Sequence, residues 1–121
     1  MKKNNVRDYI ISAFRFYARM GEPDESEIKK LTHLTTAERL DLSAVAGMLN
    51  ALSERGDISA LAAVREIYFT EADKKLRRNE ISQRVIHYAL ENYTSDRTVW
   101  RNLERAWKLF LNIRQLRIEY Y

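Results

Sequence analysis

The chain has 121 residues, of which 45% are hydrophobic and 31% are charged, a composition typical of a single globular domain with its own core. No apolar run approaches the roughly 18 residues that a membrane span requires, and the lysine-containing N-terminus has neither the apolar run nor the cleavage site of a secretory signal. We therefore expect a cytoplasmic protein without membrane contact. The absence of cysteine excludes disulfides, thiolate zinc sites and cysteine nucleophiles.

The net charge of +4 is unevenly distributed along the chain. Residues 1–60 contain 9 basic and 9 acidic side chains, whereas residues 61–121 contain 12 and 8. The interval 73–117 is the most basic part, with 11 basic against 5 acidic side chains. This asymmetry indicates a polyanionic partner, although a modest positive charge also serves solubility alone.

The composition predicts an all-α fold of about five to six helices, because the chain has only three glycines and one proline and is rich in Ala, Leu, Glu, Arg and Lys. The first helix is predicted from about Val6 to Met20 and ends before Gly21 and Pro23. Its Tyr9, Phe14 and Tyr17 have the three-and-four spacing of a buried stripe.

Three further helices are predicted before residue 70. The acidic segment "DESE" suits the electropositive start of a short helix that contains Ile28. A longer helix runs from about Thr36 to Arg55 and is closed by Gly56. The segment "DISALAAVREIYF" forms the next helix, whose end the pattern leaves uncertain.

A basic cluster follows, made up of Lys74, Lys75, Arg77 and Arg78. It is either an exposed loop or the frayed end of a helix, and it either serves solubility or contacts phosphates. Asn79 is predicted to cap a helix that ends at about Asn92. We expect one domain over residues 1–121, with an N-terminal helical part at 1–72 and a C-terminal part at 79–121.

The last helix has two distinct faces. Ser95 is its predicted N-cap, with Asp96 in the first turn. At about 100° per residue, one arc of its surface is basic, interrupted by Glu104. That arc contains Arg97, Arg101, Arg105 and Lys108, with Thr98 and Asn102 at its edge. The opposite arc is apolar and contains Val99, Leu103, Ala106, Trp107 and Phe110, with Trp100 beside it.

These two helices have the spacing of a helix-turn-helix. The supporting helix would be "EISQRVIHYALEN", the turn would be Tyr93 and Thr94, and the recognition helix would begin at Ser95. Ala89 precedes Val99 by ten residues, and such a pair suits a crossing where a small residue meets a branched one.

The segment "TSDRTVWRNLERAWKLF" resembles the last helix of sigma-factor region 4 and of phage late-gene regulators of the ArpU and RinA type. In those families a Ser-x-x-Thr-Val core precedes Leu and Ala in a basic helix, and "ALAAVREIYF" is similar to the helix before their motif. The matching positions, within about residues 80–110, are Ser95, Thr98, Val99, Leu103 and Ala106, with Ala89 upstream. The resemblance implies a DNA-facing surface of Ser95, Asp96, Arg97, Arg101 and Asn102.

The turn itself differs from that family, which usually has a glycine between two apolar residues. Here the turn is Asn92, Tyr93 and Thr94. A left-handed backbone at Tyr93 would be strained, so a longer or differently shaped turn is also open.

Two functions of different classes follow. The first is a bacterial or phage transcription regulator that binds duplex DNA, with Arg97, Arg105, Lys108 and the basic cluster on phosphates, and with Arg101 and Asn102 on base edges. The second is a helical interaction module that docks on RNA polymerase or a phage assembly component through its aromatic C-terminal helix. The basic arc would then be only a solvated helix face.

No cofactor, metal site or enzymatic activity is expected, since His33 and His87 are far apart and no phosphate loop or nucleophile elbow occurs. The position of Trp100 and Trp107 at the apolar arc favours burial in the core or a dimer contact over stacking on nucleic-acid bases. The last helix is predicted to continue to about Glu119. Its end would pack on the first helix or pair with a second copy in a homodimer.

Overall fold

Six α-helices account for most of residues 3–115, the part of the chain that the computed structural model describes. They are α1 (Lys3–Arg19), α2 (Glu25–Lys30), α3 (Thr36–Glu54), α4 (Ile58–Val64), α5 (Glu80–Glu91) and α6 (Asp96–Arg114). The last turn of α4 widens into a π-helical segment at Arg65–Phe69. The predicted all-α single-domain fold is confirmed.

Local side-chain caps determine where two of the early helices begin. Asp24 accepts a hydrogen bond from the Glu27 backbone N–H at 2.8 Å, and the Glu27 carboxylate accepts one from the Asp24 N–H. Thr35 and Glu38 form the same reciprocal pair at the start of α3. Each pair satisfies two backbone donors that the first turn of a helix leaves without partners.

The core surrounds α6, which packs most extensively on α3 and α4 and also contacts α5. Phe14 of α1 lies at the centre, because its ring meets Tyr68 and Phe110 edge to face at centroid distances of 5.4 and 5.3 Å. This geometry is favoured by the quadrupoles of aromatic rings. The predicted apolar arc of α6 is buried at Val99, Leu103, Ala106 and Phe110, and Trp107 is half-buried.

The C-terminal half of α6 packs within the chain. Phe110 lies 6.3 Å from the Tyr9 ring, and the Arg114 Nε donates to Asp41 Oδ1 of α3 at 2.8 Å, an oxygen that the Tyr9 hydroxyl also approaches. Gln115 is left-handed, with φ of 59°, and it ends α6. The predicted continuation to Glu119 is therefore interrupted at Gln115, and residues 116–121 lie outside the described part.

Candidate nucleic-acid interface

The connection between α5 and α6 is a tight hydrogen-bonded turn. Tyr93 has φ of 53°, the Thr94 N–H donates to the Ala89 carbonyl at 3.0 Å, and the Tyr93 N–H donates to the Leu90 carbonyl at 3.4 Å. These two bonds and the left-handed residue define a Schellman motif, in which glycine is the usual residue. Tyr93 accepts that conformation in a short turn, and its side chain, 99% exposed, packs on nothing.

The start of α6 agrees with the sequence prediction. The Ser95 hydroxyl accepts a hydrogen bond from the Thr98 N–H at 3.1 Å, and the two hydroxyl groups lie 3.0 Å apart. Asp96 occupies the first turn, where a carboxylate is favoured by the helix dipole. Ala89 and Val99 are both buried, at 1% and 0% exposure. The direction of α6 relative to α5 is therefore defined by the turn, the cap and this buried crossing.

Arg97 and Arg101 lie on the outer face of α6. Both are exposed, and within residues 3–115 neither guanidinium forms an ion pair. Lys108 is also exposed but lies 3.3 Å from Glu104, the acid predicted to interrupt this face. The positive charge with no described counter-ion is thus concentrated in the first half of α6.

Arg105 has a different environment from the one predicted. Its Nε and Nη2 donate to the two oxygens of Asp57 at 2.7 and 3.0 Å, and Nη2 also donates to Asn102 Oδ1 at 2.8 Å. Asp57 is the N-cap of α4. The Arg105 hydrogen bond holds the pKa of Asp57 below its ordinary value, and the same bond raises the pKa of Arg105. Arg105 therefore joins α6 to α4, which competes with any phosphate contact.

The two tryptophans of α6 contact other side chains of the same chain. Trp107 is half-buried and its Nε1 donates to the Tyr68 hydroxyl at 3.0 Å. Trp100 is also half-buried and meets Trp107 edge to face at 6.1 Å. The guanidinium of Arg7, on α1, lies 5.2 Å from the Trp100 ring centroid.

The basic cluster at residues 74–78 lies in a loop whose backbone carbonyls accept hydrogen bonds from three arginines, and Arg19 donates the longest of these bonds, to the Ala72 carbonyl at 3.3 Å. Arg15 of α1 is only 4% exposed and donates to the carbonyls of Tyr68, Thr70, Glu71 and Lys74 at 2.6 to 3.2 Å. Arg84 of α5 donates to the carbonyls of Ile67 and Thr70 at 2.8 and 2.9 Å. Burial lowers the pKa of Arg15. These bonds satisfy carbonyls that the widened end of α4 leaves without helical partners.

The start of α5 lies where the sequence predicts it, but its hydrogen bonds differ from those of an ordinary N-cap. Asn79 occupies the N-cap position but is left-handed, with φ of 63°, and its side chain makes no capping bond. The Glu80 carboxylate instead accepts from the Arg77 N–H at 3.1 Å and pairs with Arg84 at 2.6 Å. Asn79 therefore occupies the predicted N-cap position without a capping bond from its side chain, and the Glu80 carboxylate stabilises the turn that precedes α5.

The four cations of the basic cluster are exposed but are not surrounded by positive charge alone. Lys74 lies 3.4 Å from Glu71. A groove of about 680 Å³ lies between the cluster and the outer face of α5, and its walls include the acids Glu66 and Glu91. All four cations of the cluster line this groove together with the acids, so its charge is mixed.

The positions of two arginines of α1, one buried and one exposed, could not be predicted from the sequence. Arg15 belongs to a helix whose other inward positions are apolar, and its partners are 53 to 59 residues away. Arg7 belongs to the same helix, and nothing in the local pattern places it beside α6. The packing of α1 on the π-helical segment brings Arg15 to the loop, and a side-chain contact across to α6 brings Arg7 beside Trp100.

Comparisons of the chain with known protein families, with curated proteins and with solved structures find no match. Among the described residues, no helix is both long and apolar enough to cross a membrane, and no group of three His, Asp or Glu side chains is placed to hold a metal ion.

Proposed function

We propose that the chain is a DNA-binding transcription regulator of bacterial or phage type, in which α5 and α6 form a helix-turn-helix and α6 enters the major groove. The observation that carries this proposal is the exposure of Arg97 and Arg101 on a helix whose opposite face is buried. Two guanidinium groups without an acidic partner in the described chain leave a positive surface for which a polyanion is the complementary ligand.

Each predicted contact residue has a role that follows from its place. Arg101 and the amide of Asn102 lie one turn into α6 and would contact base edges, as the side chains of recognition helices do. Arg97 would bind the phosphate backbone. Ser95, Asp96 and Thr98 lie at the helix start, and Ser95 and Thr98 already share a hydrogen bond. Lys108 would bind a phosphate only by giving up its ion pair with Glu104.

The basic cluster supports the same orientation. In a helix-turn-helix the first helix crosses the DNA backbone near its N-terminus, and Arg77 and Arg78 precede the N-terminus of α5. Arg15 and Arg84 hold the loop in one conformation, so little conformational entropy would be lost when its cations meet phosphates. The proposal therefore assigns Lys74, Lys75, Arg77 and Arg78 to backbone contacts that carry no sequence information.

One observation favours a second function, a module that docks on RNA polymerase or another protein. Ile86, Leu90 and Tyr93 are exposed on α5 and the turn, Leu90 to 72%. Large exposed apolar side chains are typical of protein contacts when they are contiguous. The tryptophans, in contrast, are half-buried with partners inside the chain. A homodimer through the end of α6 remains a prediction, which sedimentation at high micromolar concentration tests.

Anisotropy titration of random-sequence duplex DNA at 50 and 200 mM salt tests the proposed function. Wild-type affinity should fall by about three to five orders of magnitude between the two concentrations if six or more phosphates are bound. The double variant Arg97→Ala/Arg101→Ala should lose binding. The matched control, Lys29→Ala/Lys30→Ala, removes the same charge from exposed positions of α2 and should retain it.

Thermal melting monitored by circular dichroism should be the same for both double variants, because all four side chains are exposed. Equal DNA binding by the two variants would remove α6 from the interface. No binding by the wild-type chain at 50 mM salt would refute the DNA proposal and leave the protein-docking function.

A further inference from the structure

We infer that Arg7 of α1 is an additional phosphate-binding residue, held over Trp100 at the edge of the DNA-binding face of α6. This inference rests on the proposed function and extends it to a helix outside the helix-turn-helix. The starting observation is the stacking distance of 5.2 Å between the Arg7 guanidinium carbon and the Trp100 ring centroid. At that distance the cation is attracted by the electron-rich face of the indole.

Helical geometry places this cation on the Arg97 side of the exposed face of α6. Trp100 is three residues after Arg97 and directly before Arg101, so its side chain leaves the helix about 60° from Arg97 and about 100° from Arg101. It is half-buried, at the border between the apolar arc and the outer face. A guanidinium over its ring therefore widens the positive surface of α6 on the α1 side.

The opposite border of the same face is neutralised. There Arg105 is bound to Asp57, the N-cap of α4. Arg7, in contrast, is exposed and forms no ion pair with the residues of known placement. The nearby acid Glu104 is already paired with Lys108 at 3.3 Å. Three guanidinium groups, those of Arg7, Arg97 and Arg101, thus lie on one surface without an acidic partner among the described residues.

Such an arrangement is unfavourable by itself, because like charges repel, and it becomes favourable when a polyanion binds. The stack on Trp100 also restricts the long Arg7 side chain before any ligand arrives, which lowers the entropy cost of a phosphate contact. A guanidinium can donate two parallel hydrogen bonds to one phosphate while its plane remains on the indole. The chemistry of the site therefore matches the DNA backbone on the α1 flank of α6.

The test compares the salt dependence of duplex binding for Arg7→Gln, Arg7→Lys and the charge control Lys29→Gln, all in the full chain. Each phosphate contact contributes about 0.9 to the slope of log affinity against log salt. Between 50 and 200 mM salt, the loss of affinity should therefore be about 3.5-fold smaller for Arg7→Gln than for the wild-type chain. Arg7→Lys keeps the cation and should keep the wild-type slope, as should Lys29→Gln.

Wild-type slopes for both Arg7→Gln and Lys29→Gln would overturn the inference while the proposed function stands. Equal reductions in the two variants would also overturn it, since they would reflect net charge alone. If the wild-type chain binds no duplex DNA at 50 mM salt, the proposed function fails and the inference fails with it. Arg7 is exposed, so circular dichroism should show the Arg7→Gln variant folded as the wild type.

Discussion

Replacing Tyr93 by glycine should stabilise the protein, although it removes a large aromatic side chain. Tyr93 is left-handed, with φ of 53°, and it connects the two helices of the candidate interface. Its side chain is 99% exposed, so its removal costs almost no packing. The backbone, in contrast, pays for a conformation in which the β-carbon crowds the following carbonyl oxygen.

The expected gain follows from two opposing terms. A left-handed residue with a β-carbon costs about 1 to 2 kcal/mol, which glycine does not incur. Glycine makes the unfolded chain more flexible, and this opposes folding by about 0.5 to 1 kcal/mol. Tyr93→Gly should therefore raise the free energy of unfolding by about 0.5 to 1 kcal/mol. For a domain of this size the corresponding rise in Tm is about 2 to 4 °C.

Tyr93→Ala is the matched control, because it removes the same ring and keeps the β-carbon. Its stability should stay within about 0.5 kcal/mol of the wild type, as for other exposed substitutions. Urea unfolding and thermal melting of the two variants measure the difference. A Tyr93→Gly variant less stable than Tyr93→Ala would refute the reasoning. Glycine is less stable than alanine only where the backbone conformation is one that alanine adopts without strain.

Two further substitutions test the contacts around the interface. Arg15→Met should destabilise the fold by about 2 to 4 kcal/mol in urea unfolding, because buried carbonyls lose their donor. Arg19→Met should cost less than about 1 kcal/mol, because Arg19 is exposed and its one hydrogen bond among the described residues, to the Ala72 carbonyl, is long at 3.3 Å. Equal costs would contradict the carbonyl-holding role of Arg15. Asp57→Asn should cost only about 0.5 to 1 kcal/mol at pH 7, because the side chain of its partner Arg105 is 46% exposed. The pKa of Asp57 is lowered in the folded protein, so its contribution is present above about pH 4, the unfolded value, and is lost as the pH falls through the folded value. A variant that remains less stable than the wild type by the same amount at pH 2 would show that the ionised carboxylate is not the cause.

Local features of the chain were predictable because their causes lie within a few residues. Ser95 caps α6 through the Thr98 N–H three residues later, and the acids after Pro23 mark the start of α2. The apolar arc of α6 is likewise a property of one helix, and its burial at Leu103 and Phe110 agrees with the spacing. For these elements helical periodicity and capping chemistry are sufficient.

The features that escaped prediction depend on residues far apart in sequence or on rare backbone geometry. Arg105 reaches Asp57 across 48 residues, so the spacing of basic residues on α6 could not reveal that this one is already paired. The left-handed conformation at Tyr93 could not be predicted, because the residue at that position is not glycine. A pattern on one helix identifies an exposed arc, but only tertiary packing decides which of its charges are neutralised.

The Thr70 carbonyl, which receives bonds from both Arg15 and Arg84, sets a limit on changes in chain length. An insertion between Thr70 and Lys74 would move backbone carbonyls away from the guanidinium groups of α1 and α5 that donate to them. An insertion between Lys75 and Leu76 would leave all of these acceptors in place. Length variation in homologous chains should therefore be confined to the second half of a connection that would otherwise be taken for an ordinary variable loop.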